Sequence, residues 1–213
     1  MELSALAFDR YVERYDEWYE ENREAYLSEL KAVSAFLEEG LKLEVGVGTG
    51  RFAAPLGVDA GVDLSPRMLF LAKERGVEVV LADAAQLPFR GGIFDQVLFV
   101  VTICFLQSAE EAVKEAKRVL KVSGSLLVAF VPKHSEWGRL YAEKKAKGHP
   151  IYEHANFYSV EEVRALLERS GFTVESGAST LYQAPGEVAS VEEPRAALDE
   201  GAGFVVVLAR KQP

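Results

Sequence analysis

The 213-residue sequence predicts an α/β protein with a doubly wound, mostly parallel sheet and helices on both faces. Apolar strand segments alternate with helical segments from residue 41 to residue 130, which is the pattern of a parallel sheet covered by helices. In addition, three glycines and two aspartates follow three successive strands. They would meet at the sheet edge where open α/β sheets bind their ligands.

The first predicted element is a helix over residues 8–37. Tyr11, Tyr15, Trp18 and Tyr26 recur in it at helical spacings and therefore share one face. This face can pack on the sheet, and Tyr11, Tyr15 and Trp18 can equally line a ligand site.

The first strand is predicted within residues 41–47, where apolar side chains alternate. It runs into Gly46, Gly48 and Gly50, and the next helix can begin in residues 51–56. Glycine permits the tight turn and the close approach of backbone to ligand that this junction requires.

This glycine loop differs from the dinucleotide fingerprint G-x-G-x-x-G, in which a helix N-terminus faces a pyrophosphate. Arg51 occupies the position of the third fingerprint glycine, and Glu44 comes shortly before the first glycine. A carboxylate at that point suits a cationic ligand group better than a pyrophosphate.

The second strand, residues 61–62, ends at Asp63, and Ser65 with Pro66 then marks a helix start. An acidic residue at the end of this strand can accept hydrogen bonds from both ribose hydroxyls of an adenosine. Asp59 precedes the strand, and we interpret it as a surface turn residue.

The third strand, residues 77–81, leads to Asp83, whose carboxylate can accept a hydrogen bond from an adenine amine. The N–H group of Ala84 can then reach a ring nitrogen. The fourth strand, residues 94–101, ends at Val100 and Val101, beside the expected ligand.

The remaining elements complete a single domain. They are a helix over 110–121, a strand over 125–131, an irregular segment over 133–157, a helix from 159 to 169 with a Ser159–Glu162 capping box, and strands over 172–181 and 204–208. We divide the chain into an N-terminal helical cap (1–38), a ligand-binding core (39–131), a covering segment (132–158) and a C-terminal part (159–213).

The chain resembles the class I S-adenosylmethionine-dependent methyltransferases from about Tyr11 to Phe172. Residues 44–50 match the motif E/D-x-G-x-G-x-G, residues 62–69 match V-D-x-S-x-x-M-L, and residues 94–97 match F-D-x-V. Residues 86–89, Q-L-P-F, closely match the family's Q/E-x-L-P-F segment. The opening stretch F-D-R-Y-V-E-R-Y-D-E-W-Y is similar to that of quinone-methylating members.

The resemblance implies a Rossmann-like sheet of seven strands with an antiparallel last strand. It also implies S-adenosyl-L-methionine as cofactor and direct displacement of its methyl group by a small-molecule acceptor. The residues that it places at the cofactor are Glu44, Gly46, Val47, Gly48, Gly50, Asp63, Leu64, Met68, Asp83, Ala84, Val100 and Val101.

Two departures from the family pattern are present. Residues 120–124 read L-K-V-S-G in place of L-x-P-G-G, which changes a turn. Residues 102–105 lack the N/D-P-P-Y/F motif, which argues against methylation of a base nitrogen or a glutamine amide. An NAD-dependent oxidoreductase and a non-catalytic cofactor-binding protein stay open as alternatives, as do the acceptor atom and the oligomeric state.

An acceptor that must lose a proton requires a base. His134 and His154, in the segment expected to cover the site, are the candidates, although either can equally be a structural residue. Cys104 lacks the neighbouring pattern of a nucleophile and is interpreted as a small apolar residue.

The composition excludes several partners. A net charge of −9 opposes binding to nucleic acid, and the short basic run at 144–147 is interpreted as a solvated helix face. No apolar run has transmembrane length, and we expect no bound metal. The single cysteine cannot form an internal disulfide, which fits a cytoplasmic protein.

Overall fold

A seven-stranded mixed sheet with helices on both faces organises residues 3–212, which the computed structural model describes. The strands are β1 (Lys42–Val45), β2 (Ala60–Asp63), β3 (Glu78–Leu81), β4 (Phe94–Val100), β5 (Leu120–Phe130), β6 (Phe172–Thr180) and β7 (Phe204–Lys211). The helices are α1 (Leu3–Arg10), α2 (Val12–Glu21), α3 (Arg23–Ser34), α4 (Ala53–Leu56), α5 (Pro66–Glu74), α6 (Ala109–Val119), α7 (Glu136–Ala146) and α8 (Val160–Arg169). Short 3₁₀ turns cover Ile103–Phe105 and Tyr152–His154.

The strand order is β3-β2-β1-β4-β5-β7-β6, and β7 runs antiparallel to both of its neighbours. The chain proceeds outward from β1 in one direction and from β4 in the other. The carboxyl ends of β1 and β4 therefore form the topological switch point, where open sheets bind ligands. This architecture confirms the predicted fold class.

Both faces of the sheet are buried. Along β4, Val97 and Phe99 pack with α6 and α8, whereas Leu98 and Val100 pack with the helices of the opposite face. All four side chains are at most 5% exposed, which explains why this strand reads as a continuous apolar run.

The single N-terminal helix predicted over 8–37 is wrong, because three helices occupy this stretch. Tyr11 and Asn22 interrupt the run with φ values of −114° and −117°. The Asn22 side chain donates to the Trp18 carbonyl and so competes with the helical backbone. Backbone bonds to residue i−4 persist at both breaks, so the helical spacing of the aromatic residues survives the bends.

The sequence predicted an irregular segment over residues 133–157. This prediction is wrong in part, because α7 lies within the segment. Ser135 caps α7 by accepting a hydrogen bond from Gly138, and Trp137 and Tyr141 anchor its buried face. The neighbouring basic run is not simply a solvated face, since Lys144 is half-buried over two tyrosine rings.

Other boundaries shift by a few residues. β5 begins at Leu120, directly after α6, because Leu120 pairs with Phe94 before a register shift. The capping box of Ser159 and Glu162 is confirmed. Within residues 3–212, no helix combines the length and apolar character needed to cross a membrane.

Candidate active site

A cavity of about 190 Å³ lies at the carboxyl ends of β1, β2 and β4, and we call it the glycine-loop cavity. Gly46 and Gly48 form one wall, while Asp63 and Asp83 project from the ends of the neighbouring strands. Helix α1 closes the top with Ser4, Ala5 and Phe8. Residues predicted to contact a cofactor that line this cavity are Gly46, Gly48, Asp63, Leu64, Met68, Asp83, Ala84, Val100 and Val101.

The glycines of the loop have different roles. All three have positive φ, at +72° for Gly46, +53° for Gly48 and +80° for Gly50. A Cβ on Gly48 would extend into the cavity, where its nearest neighbours are Tyr15 atoms 3.7–3.8 Å away. Gly50 instead lies against Ala72 of α5 and does not line the cavity. Gly50 was predicted to contact the cofactor, but it lies outside the cavity and can affect a ligand only through the conformation of the loop.

Val47 also points away from the glycine-loop cavity. It packs against Gly61, where any Cβ would lie only 2.6 Å from a Val47 methyl group. Val47 thus fixes the loop to β2.

Asp63 joins the loop to the second strand. Its carboxylate accepts hydrogen bonds from the N–H of Gly48 at 3.0 Å and from the N–H of Ser65 at 2.9 Å. Burial raises the pKa of Asp63, although these N–H donors oppose the rise. Asp59 is exposed and accepts from the Lys42 N–H, which agrees with its interpretation as a surface residue.

Glu44 lies buried behind the loop and is 1% exposed. Its Oε2 has no hydrogen-bond partner within residues 3–212. Burial, with repulsion from Asp63, raises the pKa of Glu44 well above its ordinary value, while a backbone hydrogen bond from Ala53 opposes the rise. A buried carboxyl with a free oxygen is suited to stabilising positive charge in front of the loop.

A second cavity, of about 230 Å³, adjoins the first, and we call it the aromatic cavity. Tyr15, Val101 and Phe105 line both cavities and form their common wall. Val101 has φ of +54°, a conformation that is strained for a β-branched residue and that marks functional sites. The other aromatic lining residues are Trp18, Tyr19, Tyr141, Tyr152 and Phe157.

Two acidic residues, Glu21 and Glu29, line the aromatic cavity; Glu21 is exposed, whereas Glu29 of α3 is only 4% exposed. Burial raises its pKa to about 8. No side-chain hydrogen bond or ion pair to Glu29 occurs in the described part of the chain.

Three basic residues, Arg14, Lys144 and His149, also line the aromatic cavity. The Lys144 ammonium lies 5.3 Å from the centre of the Tyr141 ring and 5.8 Å from that of Tyr152. Burial and the charge of Arg14 lower the pKa of both Lys144 and His149.

An ion-pair network attaches α2 to the glycine loop. Asp16 lies 2.5 Å from an Arg51 nitrogen and 2.7 Å from an Arg75 nitrogen. Burial would raise the pKa of Asp16, but the hydrogen bonds from the two arginines outweigh it and lower the pKa to about 2. Arg51 stands where a dinucleotide fingerprint has its third glycine, and in this chain it holds α2 to the loop through Asp16.

The structure brings Tyr15 and Trp18 to the aromatic cavity, but not Tyr11. Neither His134 nor His154 lines either cavity, and His134 is exposed.

Sequence reasoning missed Glu29 and His149. A signal existed for Glu29, which is the one charged residue in a buried stripe of α3 that otherwise consists of Ala25, Ser28, Ala32 and Val33. His149 follows the end of α7 and carried no such signal.

Comparison with known proteins agrees with this geometry. A model described as a methyltransferase domain matches residues 43–128. A Thermotoga maritima structure described as a SAM-dependent methyltransferase, possible histamine N-methyltransferase, shares 42% identity and a TM-score of 0.94 over 98% of this chain and all of that one. An uncharacterized Methanocaldococcus jannaschii protein is 38% identical over 96% of this chain and 98% of its own length. A Geobacter sulfurreducens malonyl-[acyl-carrier protein] O-methyltransferase is 32% identical over 67% of this chain and 60% of its own.

Proposed function

The chain belongs to the S-adenosylmethionine-dependent methyltransferases, and we propose that it methylates a small molecule held in the aromatic cavity. The observation that carries this proposal is the common wall of Tyr15, Val101 and Phe105. A donor in one cavity and an acceptor in the other would meet at this wall.

The lining of the glycine-loop cavity fits the cofactor, which supplies an electrophilic methyl group on a sulfonium sulfur. We propose that Asp63 accepts hydrogen bonds from the ribose hydroxyls and that Asp83 and Ala84 contact the adenine. The backbone of Gly46 and Gly48 would then face the methionine end, where the buried carboxyl of Glu44 stabilises the positive charge. Leu64, Met68, Val100 and Val101 would supply apolar contacts, whereas Val47 and Gly50 shape the loop from behind.

The protein's contribution to such a reaction is orientation and exclusion of water. Holding two reactants in line can lower the barrier by about 7–11 kcal/mol. The aromatic side chains around the common wall provide a largely apolar surface on which a reactant could be oriented away from water. These features support methyl transfer over the nicotinamide-dependent and non-catalytic alternatives.

The proposed acceptor is a small molecule and not a nucleic acid. With a volume of about 230 Å³, the aromatic cavity has room only for a small molecule, and the net charge of −9 would repel a polyanion. The relation to quinone-methylating members stays a prediction. We also propose a cytoplasmic location, which the single cysteine suits.

Calorimetric titration with S-adenosylhomocysteine, with NAD as control, tests this proposal. We expect the first compound to bind at a single site and the second not to bind. Radiolabelled methyl transfer to a pool of small metabolites, compared with tRNA and DNA, then identifies the acceptor class. Tight binding of NAD, or methylation of nucleic acid alone, would overturn the proposal.

A further inference from the structure

We propose that Glu29 binds the nitrogen of a protonated amine and removes its proton, so that the acceptor class is a small primary or secondary amine. This inference rests on the proposed methyl transfer and assigns the chemistry of its acceptor cavity.

The first observation is the isolation of the Glu29 carboxyl. Its side chain is 4% exposed and lines the aromatic cavity, yet no ion pair or side-chain hydrogen bond to it occurs within residues 3–212. A buried carboxyl without a partner is costly, because burial penalises the charge and leaves its oxygens unpaired. An ammonium group entering the cavity would supply both the opposite charge and the missing donors.

The second observation is the aromatic wall around this carboxyl. Tyr19, Tyr141 and Tyr152 line the same cavity. Faces of aromatic rings attract cations. All three rings already have a cation nearby. The Lys144 ammonium lies 5.3 Å and 5.8 Å from the centres of the Tyr141 and Tyr152 rings, and the Arg51 guanidinium carbon lies 5.5 Å from that of Tyr19. The cavity surface is therefore suited to an organic cation with an apolar body.

The remaining charged residues that line the cavity belong to other elements than Glu29. Arg14 and Glu21 belong to α2, Lys144 to α7, and His149 to the following loop. Burial alone accounts for the raised pKa of Glu29, so none of these residues stabilises its carboxylate appreciably. Burial and the charge of Arg14 instead lower the pKa of Lys144 and His149.

The proposed step balances in atoms and charge. The Glu29 carboxylate takes one proton from the bound ammonium and becomes a neutral acid, which leaves a free electron pair on the nitrogen. That pair forms the new N–CH₃ bond, and the electrons of the broken S–CH₃ bond remain on sulfur. The products are a methylated ammonium and S-adenosylhomocysteine, and the acid then returns its proton to solvent. Burial raises the pKa of the Glu29 carboxyl and so narrows its difference from the pKa of an amine, which favours the first transfer.

The test uses benzylamine and phenethylamine as probes, with benzyl alcohol and benzoic acid as matched neutral and anionic compounds. Binding to the S-adenosylhomocysteine complex and methyl transfer from S-adenosylmethionine are both measured. We expect the amines alone to bind and to be methylated. Preference for the alcohol or the acid, or failure of both amines to bind, would overturn the inference.

Glu29→Gln removes the charge at nearly constant volume, and Glu24→Gln is the control, since Glu24 lies on the same helix and lines neither cavity. We expect Glu29→Gln to weaken amine binding roughly tenfold to a hundredfold, as for loss of a charged hydrogen bond. Its affinity for S-adenosylhomocysteine should not change. If the wild-type protein itself does not bind S-adenosylhomocysteine, the proposed methyl transfer is contradicted instead.

The pH dependence separates this role from a structural one. An ammonium needs the ionised carboxylate, so wild-type affinity should increase as pH rises toward 8, until the amine itself loses its proton. Glu29→Gln should lack this increase. An equal increase in both proteins would assign it to Lys144 or His149 and overturn the inference.

Discussion

The hydroxyl groups of Tyr15 and Tyr19 lie 2.7 Å apart on successive turns of α2. Tyr15 lines both cavities and Tyr19 lines the aromatic cavity. Their rings also meet edge to face at 5.4 Å. The N-terminal helices are therefore part of the site itself and not only a cover for the sheet.

Gly48→Val should abolish tight cofactor binding. The new side chain would enter the glycine-loop cavity, and φ of +53° strains a β-branched residue. We expect a loss of about 2 kcal/mol or more, roughly thirtyfold in Kd for S-adenosylhomocysteine. Gly57→Val is the matched control, because Gly57 has φ of +62° and open space around it, outside both cavities. Equal affinity of the two variants would refute the assignment of the loop.

Asp63→Ala should weaken cofactor binding by about 2–4 kcal/mol, since it removes charge-assisted bonds to two hydroxyls. It also removes the acceptor for the Gly48 N–H, so the loop should become less ordered. Asp59→Ala should lower stability by about 1 kcal/mol through the lost Lys42 bond, with no effect on binding. Calorimetric titration of both variants with S-adenosylhomocysteine decides the matter. Similar losses of affinity at the two positions would show that the strand end is misassigned.

The sequence predicted many of the residues that line the glycine-loop cavity, because its signals there are local. Gly46, Gly48, Asp63 and Asp83 each follow a strand within a few residues, and parallel strands bring their carboxyl ends to one edge. Once the strands are assigned, the site follows from topology.

The aromatic cavity could not be predicted in the same way. It combines Glu29 of α3, Tyr141 of α7 and His149 from a loop, and no spacing in the sequence links these segments. Their meeting depends on how α2 and α3 bend over the sheet. The sequence pattern does not reveal the two interruptions at Tyr11 and Asn22, because the aromatic residues keep their helical spacing through both.

Phe8→Ala should reduce both cofactor binding and methyl transfer, each about tenfold. Phe8 lines the glycine-loop cavity and contacts Tyr15 and Phe105 edge to face at 5.4 Å and 4.8 Å. Such aromatic pairs contribute about 0.5–1.5 kcal/mol each. Leu6→Ala on the same helix is the control, since Leu6 is 47% exposed. Steady-state kinetics of the two variants should differ, and indistinguishable kinetics would remove α1 from the site.

Glu29→Gln should change how stability depends on pH. Because the folded pKa of about 8 exceeds the ordinary value of 4.5, the native state retains a proton that the unfolded chain releases between these values. The stabilising contribution of this group is therefore fully present below pH 4.5 and is lost as pH rises through 8. Between pH 5 and 7.5 this group should cost about 3 kcal/mol of unfolding free energy.

Urea unfolding of both proteins at these two pH values measures this difference. Asp16, with a pKa of about 2, stays ionised throughout and does not contribute. Between pH 5 and pH 7.5, the unfolding free energy of the glutamine variant should decrease by about 3 kcal/mol less than that of the wild type. Parallel changes in the two proteins would place the pKa of Glu29 near its ordinary value.

The most direct measurement is a crystal structure of the complex with S-adenosylhomocysteine. We predict that the ribose hydroxyls contact Asp63, the adenine lies beside Asp83, and the sulfur faces the common wall of Tyr15, Val101 and Phe105. A product bound elsewhere, or one whose sulfur points away from the aromatic cavity, would contradict the account of two cavities that meet for methyl transfer.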